Sequence, residues 1–102
     1  MAGSIAVLQK DDVYRITAEI GYYLAEPFWN KGIMSQAIAL ITNHTWQNLP
    51  EITKLFAEVF WFNKASMRAL EKNGFHLEGI RRNHIIKNGT IGDDYIWVKF
   101  RL

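Results

Sequence analysis

Period-two stretches and one long stretch of helical period divide the chain. Residues 4–9 (SIAVLQ) read as a strand, Lys10-Asp11-Asp12 as a turn, and residues 17–24 (TAEIGYYL) as a second strand rich in aromatic and β-branched side chains, which predicts a hairpin. Alternation in the second strand sends Glu19, Gly21 and Tyr23 to one face and Ile20, Tyr22 and Leu24 to the other. Gly21 suggests a bulge. After Gly32, Met34, Ala37, Ile38, Ile41 and Thr45 recur at the spacing of a helix that runs to about Asn48, where Leu49-Pro50 stops it. Residues 54–62 form an almost unbroken apolar run, the pattern of a central strand buried on both faces. Asn63 stands at the N-cap of a short second helix, with Met67 and Leu70 facing inward and Asn73-Gly74 marking its end. Residues 75–87 and 90–101 flank Asn88-Gly89, the strongest short hairpin signal in the chain. The fold class expected is α+β: a mixed, mostly antiparallel β-sheet flanked by two helices.

Composition narrows the setting. The 102 residues, 49% of them apolar and 14% aromatic, supply one core, so a single domain over 1–102 is expected. A domain of this length buries only about 60–70% of the surface its unfolded chain exposes, which favours pairing with a second copy, a homodimer. The chain has no cysteine, and His44, His76 and His84 lack the i, i+4 spacing of a helical metal pair, so no metal is expected. The start MAGSIAVLQKDD has no basic region and too short an apolar run for a secretion signal, and no segment approaches the ~20 apolar residues of a membrane span. A cytoplasmic protein without a membrane partner is the expectation. The charge of +2 and a pI near 9.0 come from scattered residues. The one cluster, Arg81, Arg82 and Lys87, reads as a solvated strand face rather than a nucleic-acid patch.

The stretch most suggestive of chemistry is residues 22–37, YYLAEPFWNKGIMSQA, a strand feeding a helix through a tight turn. The first amides of a helix have no intrahelical partner, and the macrodipole adds partial positive charge, so a phosphate satisfies both. Gly32 lets backbone approach a ligand without a Cβ in the way, and Lys31 adds a point charge. One glycine before a helix is by itself a weak signal, and neither G-x-x-x-x-G-K-[ST] nor G-x-G-x-x-G occurs, so Walker and Rossmann readings fail.

A second constellation follows the central strand: Asn63-Lys64-Ala65-Ser66, then Lys72-Asn73-Gly74-Phe75-His76-Leu77-Glu78-Gly79. Together the two stretches resemble the GNAT acyl-CoA N-acyltransferases, in particular the branch with the RimJ and RimL ribosomal-protein N-terminal acetyltransferases. The shared motifs are a W-x-K-G turn with a following helix, N-x-x-S, and K-x-G-F-x-x-E-G, and the resemblance runs over residues 18–97. It departs at the superfamily pattern Q/R-x-x-G-x-G/A, which would span residues 29–34; there only Gly32 agrees, with Trp29 at its start and Met34 at its end.

The resemblance implies acetyl-CoA as co-substrate. Its pyrophosphate would lie on the turn formed by Trp29, Asn30, Lys31, Gly32, Ile33, Met34 and Ser35, and the strand edge at Leu24 and Ala25 would pair with the pantetheine arm. Asn63 would bond the cofactor or simply cap its helix; both roles are compatible. Glu19 is the implied general base, its alternative being an exposed strand residue. Ser66 would bond the coenzyme's sulfur and help protonate the thiolate, or else cap the first helical turn. The tyrosine that many such enzymes place seven residues after the asparagine is Leu70 here, and Tyr95, Trp46, Trp61 and Trp97 read as core. The implied acceptor is a primary amine: a peptide, a protein N-terminus or a small amine.

Family members carry further strands and two helices before the point where this chain starts, so the sequence reads as the C-terminal, cofactor-binding part of the fold. Two readings stay open: a dimeric N-acetyltransferase, and a non-catalytic acyl-CoA-binding fragment. A single-strand nucleic-acid binder, suggested by the aromatic run at residues 56–62, is disfavoured because that run lacks a basic-glycine start and no basic groups gather beside it.

Overall fold

The computed structural model describes residues 3–10, 16–24 and 32–101. Five strands and two helices follow in the order β1 (Gly3–Gln9), β2 (Thr17–Leu24), α1 (Ile33–Asn48), β3 (Lys54–Phe60), α2 (Lys64–Lys72), β4 (His76–Lys87) and β5 (Thr90–Phe100). They form one sheet of order β1-β2-β3-β5-β4, antiparallel throughout except where β2 and β3 run parallel. The expected α+β class is therefore the observed one, with β3 central.

Both helices pack on the same face of this sheet. Alternate positions Ala18, Ile20, Leu55, Ala57, Val59 and Trp97 point under Met34 and Ile38 of α1 and Met67, Ala69 and Leu70 of α2, making one apolar core. One-sided cover corrects the expectation for residues 54–62. Leu55, Ala57 and Val59 are buried, but Glu58 and Phe60 are exposed, because neither helix covers the second face. The strand also ends at Phe60, since Trp61 and Phe62 turn towards α2. On that second face Ile96 and Val98 are nonetheless buried, lying in register between Glu58 and Gly79 and between Phe56 and His76.

Gly21 makes no bulge. The β1–β2 ladder runs without a shift from Gly3 opposite Leu24 to Gln9 opposite Ala18. The irregularities fall in β4, between Leu77 and Gly79 and between Arg81 and Ile85, where Asn83 has a positive φ and Asp93 Oδ1 accepts from its N–H at 3.0 Å. Asn88 and Gly89, at φ of 51° and 79°, form the two-residue turn that the β4–β5 hairpin needs, both residues in the left-handed region as in a type I′ turn.

Helix ends are closed by distinct devices. The side chain of Asn63 accepts from the Ser66 N–H at 3.2 Å, capping α2, and that helix closes in a Schellman pair, Phe75 N–H to Leu70 O and Gly74 N–H to Glu71 O, with Gly74 at φ 84°. The last turn of α1 holds no basic residue; instead Arg101 reaches back from the other end of the chain. Its guanidinium donates to the carbonyls of Trp46, Leu49 and Ile52 at 2.7–2.8 Å and lies 4.6 Å above the Trp46 ring. One side chain thereby ties the C-terminal end of α1 to the loop that leads into β3.

Candidate functional site

The parallel neighbours β2 and β3 stay together for only three residues, Thr17 to Glu19 opposite Lys54 to Phe56. Beyond them, residues 20–24 and 57–60 continue without pairing to each other, so the sheet opens into a wedge whose two inner backbone edges face a gap. Edges of this kind are ready to hydrogen-bond an extended ligand. The gap opens into a cavity of about 300 Å³ lined by Glu19, Ile20, Gly21, Glu58, Val59, Phe60, Asn63 and Ser66.

Three of the residues singled out in the sequence meet in that cavity. Glu19 arrives from β2, its carboxylate partly exposed and 3.3 Å from Lys10 Nζ. Asn63 and Ser66 arrive from the start of α2, which follows directly from the far edge of the wedge. Ser66 is buried, and its hydroxyl lies 3.2 Å from the Met34 sulfur, so the two helices touch at their N-terminal ends.

At that junction a second, smaller depression begins, lined by Gly32, Met34, Ser35, Ala65, Arg68, Ala69 and Lys72. Gly32 is the N-cap of α1 at φ 75°, a left-handed conformation, and a Cβ there would point into open space. Among the described residues no side chain caps the helix, and its first turn carries no acidic residue. The amides that open α1 therefore face the depression with their partial positive charge uncompensated by the helix's own residues. Arg68 and Lys72, one turn apart on α2, bring two cations to the same place. Ser35 is tied down by Asn73, whose amide donates to its carbonyl and hydroxyl oxygens at 3.0 and 3.1 Å. Ile33 is exposed and Met34 buried.

Of the remaining candidates, Ala25, Trp29, Asn30 and Lys31 lie outside the described residues, and of Leu24 only the backbone, opposite Gly3, is described. Tyr95 packs against the core with Lys64 over its ring, away from the cavity lining, as the core reading of that residue expects. Trp97 is buried, while Trp46 and Trp61 are only partly so. In the basic cluster Arg81 pairs with Glu58 and Arg82 with Asp93, while Lys87 lies over the Phe62 ring.

Sequence reasoning missed Glu58, Arg68 and Lys72. Each left a signal. Glu58 is the one charged residue in the apolar run of residues 55–62, and Arg68 and Lys72 stand at i, i+4 in the N-x-x-S helix, the spacing that puts two side chains on one face. Asp94 was missed too. It is buried on β5, opposite Phe60 and Arg81, and its Oδ1 has no hydrogen-bond partner. Burial, and then the neighbouring Glu58, push its pKa above the usual 3.8. Asp93 goes the other way, lowered by the Asn83 N–H that it accepts.

An uncapped helix start beside two cations, joined to a wedge of free strand edges, suits a ligand with a diphosphate at one end and an extended amide-bearing arm at the other. Comparison with known proteins agrees. Residues 1–76 match the model of the Acetyltransferase (GNAT) domain. The Probable N-acetyltransferase YjcK of Bacillus subtilis is 40% identical over 80 residues, 78% of this chain and 44% of the relative. The ribosomal-protein-serine acetyltransferase of Escherichia coli is 31% identical over 83 residues, 81% of this chain and 46% of its own. Among solved structures, RimL, a ribosomal L7/L12 alpha-N-protein acetyltransferase in complex with coenzyme A, superposes with a TM-score of 0.74 at 29% identity, covering 83% of this chain and 48% of that one. The chain thus spans about half the length of the relatives it matches. The matched span takes in the whole wedge, from β1 to the end of α2, and so this chain belongs to the acetyltransferase (GNAT) domain family.

Proposed function

We propose that the protein binds acetyl-CoA in the β2–β3 wedge and transfers the acetyl group to a primary amine, with a protein or peptide N-terminal α-amine as the acceptor class. The carrying observation is that the gap between the two strands gathers Glu19, Asn63 and Ser66 next to an uncapped helix whose first amides and two cations face one depression. The acceptor class comes from the ribosomal-protein acetyltransferases that the chain resembles. Acetyl-CoA and such acceptors meet in the cytoplasm, where we place the reaction.

In this reading the amides opening α1, with Arg68 and Lys72, hold the diphosphate, and the free edges of the wedge pair with the pantetheine arm. An α-amine has a pKa of about 7.7–8.0, so most of it is protonated at neutral pH. Glu19, whose Oε1 is shared with Lys10, takes the proton, directly or through one water. The neutral amine then attacks the thioester carbon. A backbone N–H on the open edge of β2 stabilises the negative charge that develops on oxygen, a contribution of about 3–4 kcal/mol for one such donor. As the carbon–sulfur bond breaks, the second proton leaves nitrogen and reaches the departing thiolate, and the Ser66 hydroxyl, which donates to Met34 Sδ in this structure, turns to donate to that sulfur. A homodimer would supply cover for the sheet face that neither helix covers.

A second reading is a domain that binds acyl-CoA without efficient transfer. Calorimetry with coenzyme A and acetyl-CoA tests the site common to both; absence of binding at millimolar concentrations overturns both. Isotope-labelled acetyl-CoA offered to peptides with free N-termini separates them, because acetylated peptide forms only under the first.

A further inference from the structure

The cavity holds a carboxylate that the mechanism above leaves unused. Glu58 faces it from β3, two residues beyond Phe56, the register partner of Glu19 on β2, so the two carboxylates occupy diagonal positions across the mouth of the wedge. Their ion pairs are alike. Lys10 Nζ engages Oε1 of Glu19 at 3.3 Å, and Arg81 Nη1 engages Oε1 of Glu58 at 2.7 Å, so among the described residues each carboxylate keeps its second oxygen for another donor. Arg81 reaches Glu58 from β4 across the intervening strand β5, where its register partner is Asp94. That carboxyl is buried, and its Oδ1 has no partner. One guanidinium therefore stands between two carboxyl groups.

We propose that Glu58 is a specificity-determining residue of the acceptor side, holding the incoming ammonium together with Glu19 and selecting amines that arrive protonated, while Arg81 is a positioning residue that fixes the Glu58 carboxylate at the gap. The inference rests on reading this cleft as the acceptor side of a transferase. Chemically, an ammonium has three donors and no acceptor, so two carboxylate oxygens from opposite walls bind two of its protons, and the lone pair left when one of them passes to Glu19 turns to the carbon by rotation about the C–N bond. Loss of one proton to Glu19 then leaves a neutral amine still hydrogen-bonded to Glu58, which keeps the nitrogen at the mouth of the wedge. A neutral amide or hydroxyl in the same place gains no charge-assisted bond and is disfavoured.

Binding measures this without turnover. Isotope-labelled protein is titrated at pH 7 with the peptide Ala-Ala-Phe amide and with its N-acetylated form, followed by amide chemical shifts, with and without saturating coenzyme A. The expected result is at least a tenfold preference for the free amine, with shifts at β2 and β3. Glu58→Gln, equal in shape, is expected to cut that preference at least threefold while leaving coenzyme A affinity within twofold. Glu78→Gln removes a carboxylate paired with Lys54 that lies outside the cavity lining, and is expected to leave the preference intact. Arg81→Gln is expected to weaken the preference and Arg81→Lys to restore part of it. Equal binding of the two peptides by the unmodified protein overturns the proposal. So does a Glu58→Gln variant that keeps the full preference, or an equal loss in Glu78→Gln. Failure of coenzyme A to bind while the amine preference persists would remove the transferase reading and leave an amine site.

Discussion

Gly32 and Gly89 form a natural comparison for the coenzyme site. Both are glycines at nearly the same left-handed φ, 75° and 79°, and at both a Cβ would meet nothing within 4 Å. Alanine in the left-handed region costs about 1–2 kcal/mol, and that strain is the same at either position. For a domain near 100 residues, 1 kcal/mol moves the melting temperature by about 4–8 °C, so Gly32→Ala and Gly89→Ala should each melt roughly 4–16 °C lower and within a few degrees of one another. Their ligand binding should diverge. The open space above Gly32 is the mouth of the depression at the start of α1, whereas Gly89 lies at the tip of the β4–β5 hairpin. A methyl group at Gly32 stands where a diphosphate must approach the helix amides, and a tenfold weakening of coenzyme A binding, about 1.4 kcal/mol, is the smallest effect expected. Calorimetry at 15 °C, well below either melting point, reads affinity, and scanning fluorimetry reads stability on the same samples. Retention of coenzyme A affinity in Gly32→Ala refutes the placement of the diphosphate; equal losses in both variants would trace the effect to stability instead.

Two further predictions concern the scaffold. Arg101→Ala strips donors from three carbonyls at the end of α1 and the loop after it, and is expected to cost about 2–4 kcal/mol, a fall in melting temperature of at least about 8 °C; a shift under 2 °C would show that water replaces the guanidinium without loss. Asp94→Asn tests the buried carboxyl through pH. Because the folded protein holds that proton more tightly than the unfolded chain does, the wild type loses stability as pH rises from 3.8 through the raised folded value, and the variant does not. The melting difference, variant minus wild type, should therefore grow with pH above 3.8 and then level off. Asp93, lowered by its bond from Asn83, acts with the opposite sign below 3.8 and is present in both proteins, so it cancels. A difference that stays constant from pH 3.5 to 7 would mean that Asp94 is not the buried acid described.

Local rules in the sequence were enough for the elements. Thr17–Leu24 appears with the bounds its alternation predicted, α1 ends at Asn48 ahead of Leu49-Pro50, Asn63 caps α2, and Asn88-Gly89 turns the last hairpin. Each depends on contacts or dihedrals within a few residues, which a one-dimensional pattern records. The motif around Gly32 and the N-x-x-S run likewise stand at the starts of the two helices. What the sequence did not determine was which groups meet. An apolar run such as residues 55–60 reads the same whether one face or two are covered, and only the placement of both helices on one side left Glu58 and Phe60 exposed. The wedge itself comes from β2 and β3 parting after Glu19, a pairing between strands far apart in the chain, and pairing of that kind leaves no local mark. Arg101 on Trp46, Arg81 across β5 to Glu58, and Arg68 and Lys72 beside Gly32 are all contacts of this type. Local physics chose the elements; the geometry of their assembly decided which charges share a cavity.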